Sequence, residues 1–349
     1  MTADSESQYS VTVAASAADI NETEWNFVVE QADMSSIFHT YEWIAAVEDG
    51  LGYAPKHLLV RKDSNLIAVY PNFEIEFDRI PMTRLTSLTP GFGGPIATTD
   101  KVACVSMLSE RIPDVSSTRT IVHTIRAKAP EYLGYNNLLK THGYRPTQDG
   151  CRFLLSLDVG YEEVISNMRR GRRRNIEQAH DENYELVVEA LTDDSIQQFY
   201  RVYAQAMDRV GGSTFPRSFF AALQRMQSQV LLLTLRIDGE YAGGAIELLN
   251  EAEGYIHGWL MAVSAEYFDN HASELLYDGV IQWGIENGYE TYDLGYTTSD
   301  MTNGLFTYKK SYGGELVPNF HWEKSCSPLW PLARTGRSLY WSWVKSPPT

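Results

Sequence analysis

Cysteine is scarce: Cys104, Cys151 and Cys326 are the only three in 349 residues, far apart and without Cys-x-x-Cys spacing. That pattern excludes a disulfide framework and a cysteine-based zinc site. Long apolar runs are missing as well. The longest candidate, Val230 to Leu235, is strand-sized, well short of the roughly 18–20 residues that a membrane-spanning helix needs. Asp4 and Glu6 precede any apolar stretch. The basic and apolar regions of a signal peptide are therefore absent, and a cytoplasmic location is expected. The eight histidines include no His-x-x-x-His pair, and no Gly-x-Ser-x-Gly turn occurs. No metal site is expected, and serine-nucleophile chemistry is disfavoured. Positive charge is also in short supply, with 29 Lys and Arg against 45 Asp and Glu and a net charge of −16. Such a balance opposes DNA binding and broad adhesion to anionic lipid.

What is present reads as globular: 44% of residues are apolar and 21% charged, and the length suffices for two domains with separate cores. The first 150 residues form a mixed α/β unit. Helices are expected at 18–32 and 40–49, the second opening at Thr40 and stopping at Gly50. His57 to Lys62 and Leu66 to Phe77 are β-rich and joined across Asp63-Ser64-Asn65, which predicts a hairpin. Gly91-Phe92-Gly93-Gly94-Pro95 has neither phosphate-loop spacing, and Pro95 lacks a donor, so a tight turn is expected. Helix 100–112, strand 119–126, helix 131–142 and strand 151–157 complete this half.

The second half, residues 151–323, repeats the order with clearer signals. Thr192 before Asp193 and Asp194 supplies a capping hydroxyl and two first-turn carboxylates. Ile196, Phe199, Tyr200, Tyr203 and Met207 follow at helical spacing, up to Gly211-Gly212. Pro216 opens a second helix. Val230 to Ile237 and Tyr241 to Leu249 flank Asp238-Gly239, a strong hairpin signal. Strand Tyr255 to Met261, helix His271 to Asn287, strand 291–296, helix 303–311 and strand 315–323 close the unit. Both halves thus follow the element order of the GNAT fold. The fold class is α/β (α+β): tandem GNAT-like domains, each a mixed, mostly antiparallel sheet flanked by helices. The segment 324–349, with Trp330, Trp341 and Trp343, is expected to pack back on the first half rather than to anchor at a membrane surface.

Four stretches carry a family resemblance. Tyr292-Asp293-Leu294-Gly295, followed by Gly304 to Gly314 with Tyr308-Lys309-Lys310-Ser311-Tyr312-Gly313, resembles the closing signature of FemAB-like proteins of the acetyltransferase-6 group. Arg173-Arg174-Asn175-Ile176-Glu177-Gln178-Ala179 is similar to the helix that opens that family's second half. Tyr41-Glu42-Trp43 and Gly93-Gly94-Pro95 match its first half. The resemblance implies transfer of an acyl or aminoacyl group to an amine acceptor, in cell-envelope or glycan biosynthesis, with no tightly bound cofactor. The donor is aminoacyl-tRNA or acyl-CoA, which makes tRNA a candidate partner, and a phosphate-bearing amine is among the candidate acceptors. An acetyl-CoA-dependent N-acetyltransferase of an amino sugar or small amine is the alternative, and a non-catalytic binding protein on the same fold is a third. The chain departs from the CoA pattern at Ser264 to His271. That loop has no glycine and carries Glu266 and Asp269 where a pyrophosphate would meet backbone N–H groups.

Amine acylation needs charge stabilisation at the developing oxyanion and a route for a proton. Lys309 sits at the family lysine and is assigned the first role by the resemblance, and Asp293 is a candidate proton acceptor. Tyr308 joins the substrate-binding set. Arg169, Arg170, Arg172, Arg173 and Arg174 form the densest basic cluster. Arginine forks suit phosphate oxygens, with Arg173 leading and Arg169 and Arg174 beside it; the same arginines can instead pair with Glu162, Glu163 and Glu177. Tyr255, His257 and Trp259 alternate along one strand, which presents them as an aromatic, amine-binding wall or as core.

Overall fold

The structure, a computed structural model, describes residues 8–77, 80–331 and 334–335. The described residues divide into two compact units, those up to 48, 52–148 and from 320 on in one and residues 49–51 and 149–319 in the other. It passes between them within the strands Tyr144–Ser156 and Glu315–Ser325.

In the first unit an antiparallel sheet runs in the order Tyr9–Ala14, His57–Lys62, Asn65–Tyr70, Ile96–Ala97. A second set runs from residues 320–325 through Thr120–Ala127, Ile80–Ser87 and Phe73–Phe77 to Ala54–Pro55. The run Leu66 to Phe77, expected as one strand, is therefore split. Pro71 cannot donate to a ladder, and beside it the buried Asn72 turns the chain, its N–H donating to His57 Nδ1 (3.1 Å) and its Nδ2 to the Tyr70 carbonyl (3.1 Å). Helix Tyr41–Leu51 runs past the expected stop at Gly50 to Gly52, whose φ of 66° suits a glycine cap. Gly91 to Pro95 is irregular backbone with Gly91 and Gly94 at φ of 113° and 143°, in keeping with a turn. Trp322 is buried against Tyr132 and donates to Asn136 (3.1 Å). Cys326 N–H continues that ladder to the Ile121 carbonyl. Trp341 and Trp343, expected to pack here too, lie outside the described residues.

In the second unit the strand order is Tyr184–Glu189, Val230–Ile237, Glu240–Asn250, Tyr255–Val263, Thr291–Asp293, then residues 149–156. Neighbours are antiparallel except Tyr255–Val263 and Thr291–Asp293, which run parallel. Asp238 and Gly239 both take positive φ, 52° and 82°, the two left-handed residues of a type I′ hairpin. Helix Ala272–Glu286 lays Leu275, Leu276 and Val280 on the sheet, with Ile256 reaching its Gly284. Helix Asp193–Arg209 buries Ile196, Phe199 and Tyr203 as the periodicity predicts, but Val202 and Ala206 complete the face while Tyr200 and Met207 are half-buried. Among the described residues, no helix is long and apolar enough to cross a membrane.

The start of Asp193–Arg209 rests on a reciprocal cap. Ser195 N–H donates to Thr192 Oγ1 (3.2 Å), and Thr192 N–H to Ser195 Oγ (2.9 Å). Thr192→Ala should lower unfolding free energy by about 1 kcal/mol, read as a shift of the urea midpoint at unchanged slope. An unmoved midpoint would mean that the cap carries no net stability.

Candidate active site

Strand Thr291–Asp293 places a carboxylate between two neighbours, Asp293 opposite His257 on one side and Leu154 on the other. Asp293 is fully buried. Its Oδ2 accepts from Arg152 Nη1 (2.6 Å), Tyr255 hydroxyl (2.8 Å) and His257 Nδ1 (3.0 Å), and its Oδ1 from Gly295 N–H (2.9 Å). Burial opposes ionisation, yet Arg152 and His257 outweigh it and hold this carboxyl well below the usual carboxylate range. Asp293, expected as a proton acceptor, is therefore a saturated anchor. Arg152, not singled out from the sequence, completes it, its Nε donating to Asn319 Oδ1 (2.8 Å).

The chain beyond Asp293 turns through Gly295, φ 77°, where a Cβ would lie 2.2 Å from the Gly258 carbonyl oxygen and 3.5 Å from Lys309 Nζ. This is the physical content of the glycine in the Tyr-Asp-Leu-Gly run. Asn303 then caps the short helix Gly304–Lys310, accepting from Leu305 N–H (2.9 Å). Lys309 is only 7% exposed, and its Nζ donates to the Tyr296 carbonyl (2.9 Å). Burial lowers its pKa to about 8, against the opposing pull of Asp293 and Glu247. Lys310 lies half-buried with its ammonium over the Phe306 ring.

Glu247 was not a candidate from sequence, although it is the lone charge within the apolar stretch Tyr241 to Leu249. It is 1% exposed, and burial pushes its carboxyl up to about 8. Its Oε1 accepts from Tyr292 hydroxyl (2.9 Å) and its Oε2 from Trp259 N–H (3.0 Å). Ile246 pairs with Leu260 but Glu247 with Gly258, so Trp259 is the extra residue of a β-bulge. The expected aromatic wall consequently divides. Tyr255 and His257 serve Asp293, whereas Trp259 stacks on Phe215 (5.8 Å, 28°) and meets Phe219 edge-on (5.7 Å, 90°).

The arginines of the helix Arg170–Ala179 part company. Arg173, expected to lead a phosphate site, spends its Nη1 on the Ser166 and Met168 carbonyls (2.7 and 2.8 Å), closing the end of helix Tyr161–Asn167. Arg172 turns inward and is 8% exposed. It pairs with Glu274, donates to Ser311 Oγ (2.9 Å), and lies over the rings of Tyr308 (4.0 Å) and Tyr312 (4.8 Å). Tyr308, assigned to substrate, is thus half-buried against an arginine, its hydroxyl 3.1 Å from that of Tyr312. Arg169, Arg170 and Arg174 are exposed and make no ion pair with a described residue, Glu162, Glu163 and Glu177 included. Cations at a helix start oppose the dipole, and the first turn holds no acid to offset them.

The loop Ser264 to His271 holds a single 3-10 turn, Ala265–Tyr267, with Ser264 Oγ donating to Glu266 (2.9 Å). His271 enters helix Ala272–Glu286 at φ 54° without a side-chain cap. The first turn contains the buried Glu274, which also accepts from Asn175 Nδ2 (3.2 Å). That carboxylate is paired with Arg172 inside the fold, while Glu266 and Asp269 stay exposed on the loop before the helix. Among the described residues, no group of three His, Cys, Asp or Glu is placed to hold a metal.

Glu247 links this geometry to pH. Its ordinary pKa is 4.5, and in the fold the carboxyl keeps its proton to about 8. The stability that goes with the bound proton is full below about 4.5 and is lost as pH rises through about 8. Glu247→Gln retains a neutral group of the same shape, so its stability should fall less than wild type between pH 5 and 8. Urea unfolding across that range checks this, and parallel curves would refute it.

Residues 164–310 match the acetyltransferase (GNAT) domain family. No curated protein matches the sequence significantly. Among solved structures, FemX aligns with a TM-score of 0.72 at 14% identity, over 90% of this chain and 98% of that one. The C-terminal domain of a putative lysylphosphatidylglycerol synthetase from Agrobacterium fabrum aligns with a TM-score of 0.61 at 14% identity, over 89% and 93%. A tandem GNAT protein from the clavulanic acid biosynthesis pathway aligns at 0.56 and 11%, over 92% and 99%. Identities this low establish likeness of fold, and the fold is the tandem GNAT architecture expected from the element order. Residues 164–310 thus form an acetyltransferase (GNAT) domain, in a chain whose fold is like that of FemX and of a tandem GNAT protein.

Proposed function

We propose that the chain is an N-acyltransferase that moves an aminoacyl group from an aminoacyl-tRNA-type ester to an amine acceptor, in the cytoplasm and in service of the cell envelope. The observation that carries this reading is Lys309, a buried ammonium held on the Tyr296 carbonyl at the end of the Asp293 strand. In the reaction the acceptor nitrogen bonds to the donor carbonyl carbon and the ester C–O bond breaks. The amine gives up a proton and the leaving hydroxyl takes one up. Negative charge develops on the carbonyl oxygen in between, and a cation out of water stabilises it far more than one in bulk solvent. Lys309 fills that role below its pKa of about 8.

Two features favour an ester donor over acyl-CoA. The loop before helix Ala272–Glu286 has no glycine and exposes Glu266 and Asp269, so a pyrophosphate would meet like charge there. The outward Arg170 and Arg174, uncompensated in a chain of net charge −16, fit a phosphate backbone. The neighbour named for lysylphosphatidylglycerol synthesis supports an aminoacyl donor and an envelope acceptor.

Aminoacyl-tRNA, acetyl-CoA and nucleotide sugars should be offered side by side with amine acceptors. Turnover with the first alone supports the proposal, use of acetyl-CoA alone replaces the donor, and binding without turnover overturns it. On the confirmed reaction Lys309→Ala should cut turnover by about 10²–10³-fold, with Lys310→Ala close to wild type, and wild-type rate should decline as pH rises through about 8. Equal, mild losses in both variants would refute the role of Lys309. Arg170→Gln with Arg174→Gln should weaken tRNA binding and reduce its log–log salt slope by roughly one to two.

A further inference from the structure

We infer that Arg172 is a positioning residue for Lys309: with Glu274 it forms a buried clamp that fixes the helix carrying the lysine. The inference rests on the role proposed for Lys309 and adds a residue that has no contact with the reacting atoms.

The clamp is visible as a set of contacts on one end of a very short helix. Gly304–Lys310 has seven residues, too few to hold its own shape in water. Its C-terminal end is gripped by the segment from Asn167 to Arg172. Arg169 N–H donates to the Ser311 carbonyl (2.9 Å) and Arg172 Nε to Ser311 Oγ (2.9 Å). The Arg172 guanidinium covers the Tyr308 and Tyr312 rings, the residues on either side of Lys309-Lys310-Ser311. Gly313, φ 83°, lies so close to the Asn167 carbonyl that a Cβ would sit 2.2 Å from its oxygen. Glu274 secures the far side of the guanidinium, and Asn175 secures Glu274.

A planar fork is required for this. Three directions are used at once: Nε to a hydroxyl, Nη1 to a carboxylate, and the flat face to two rings. A lysine can supply only the charge. Helix placement in turn decides where Lys309 Nζ lies relative to Tyr296 O, Asp293, Glu247 and Cys151, the groups that act on it from the neighbouring strands and loop. Looseness in the clamp lets water reach the ammonium and moves it off the donor carbonyl.

Arg172→Lys keeps the charge opposite Glu274 and so preserves the buried pair, while removing the fork and the stacking. Competitive acetic anhydride labelling of the full chain, read by mass spectrometry at Lys309 across pH, gives the titration midpoint of that amine without any substrate. The midpoint should rise by about one unit or more in Arg172→Lys, towards the ordinary lysine value, and less in Ser311→Ala, which removes one contact. With a confirmed substrate, kcat should fall by about ten- to a hundredfold at nearly unchanged KM. An unmoved Lys309 midpoint in folded Arg172→Lys, or in Ser311→Ala should the first variant not fold, overturns the inference, because a merely structural pair would lower Tm alone. Failure of the donor panel leaves this labelling result standing, so the two proposals fail separately.

Discussion

An ionised carboxylate with no access to water, Asp293, is the constraint around which the second unit is arranged. Leaving such a charge unpaired in an apolar interior would cost several kcal/mol. Four donors from three places in the chain meet it: Arg152, Tyr255 with His257, and the Gly295 amide. Each comes from a strand adjacent to Thr291–Asp293 or from the turn that follows it. Satisfying one side chain therefore sets the alignment of three strands and the direction in which the chain leaves the third.

That direction has consequences for the chemistry. The turn at Gly295 delivers the Tyr296 carbonyl to Lys309, and the closeness of Gly295 to the Gly258 carbonyl leaves no space for a side chain there. A second buried pair, Arg172 with Glu274, holds the other end of the lysine helix. Buried ion pairs contribute little net stability against well-packed apolar alternatives, but they tolerate few alternative arrangements. Here both pairs flank Lys309, whose ammonium is kept from water. Their value to this protein lies in placement.

Much of the architecture was legible from local signals. Thr192, Asp238-Gly239 and the apolar face of Ala272–Glu286 marked their elements because caps, tight turns and helical periodicity are properties of neighbouring residues. Strand Tyr184–Glu189 has only a weak signal in the sequence because it is an edge strand with no fully buried residue, so its apolar alternation is faint. The break at Pro71-Asn72 leaves no local mark because both flanking stretches are β-rich, and only the pairing partners show that they enter different sheets.

For the site, sequence alone determined which residue types were available and near which turns: an aspartate at a strand end, a lysine on a short aromatic helix, a run of arginines opening another helix. Those are choices made within a few residues, where backbone geometry and periodicity govern. Tertiary structure decided what each of them does. Arg152 reaches Asp293 across 141 positions and Arg172 reaches Glu274 across 102, so neither partnership leaves a local trace. The same folding that buries Lys309 and Glu247 brings both to pKa values near 8, and it turns Asp293 from a base into an anchor. Charge in a protein interior is set by desolvation and by partners in space, and both are decided only when distant segments close on one another.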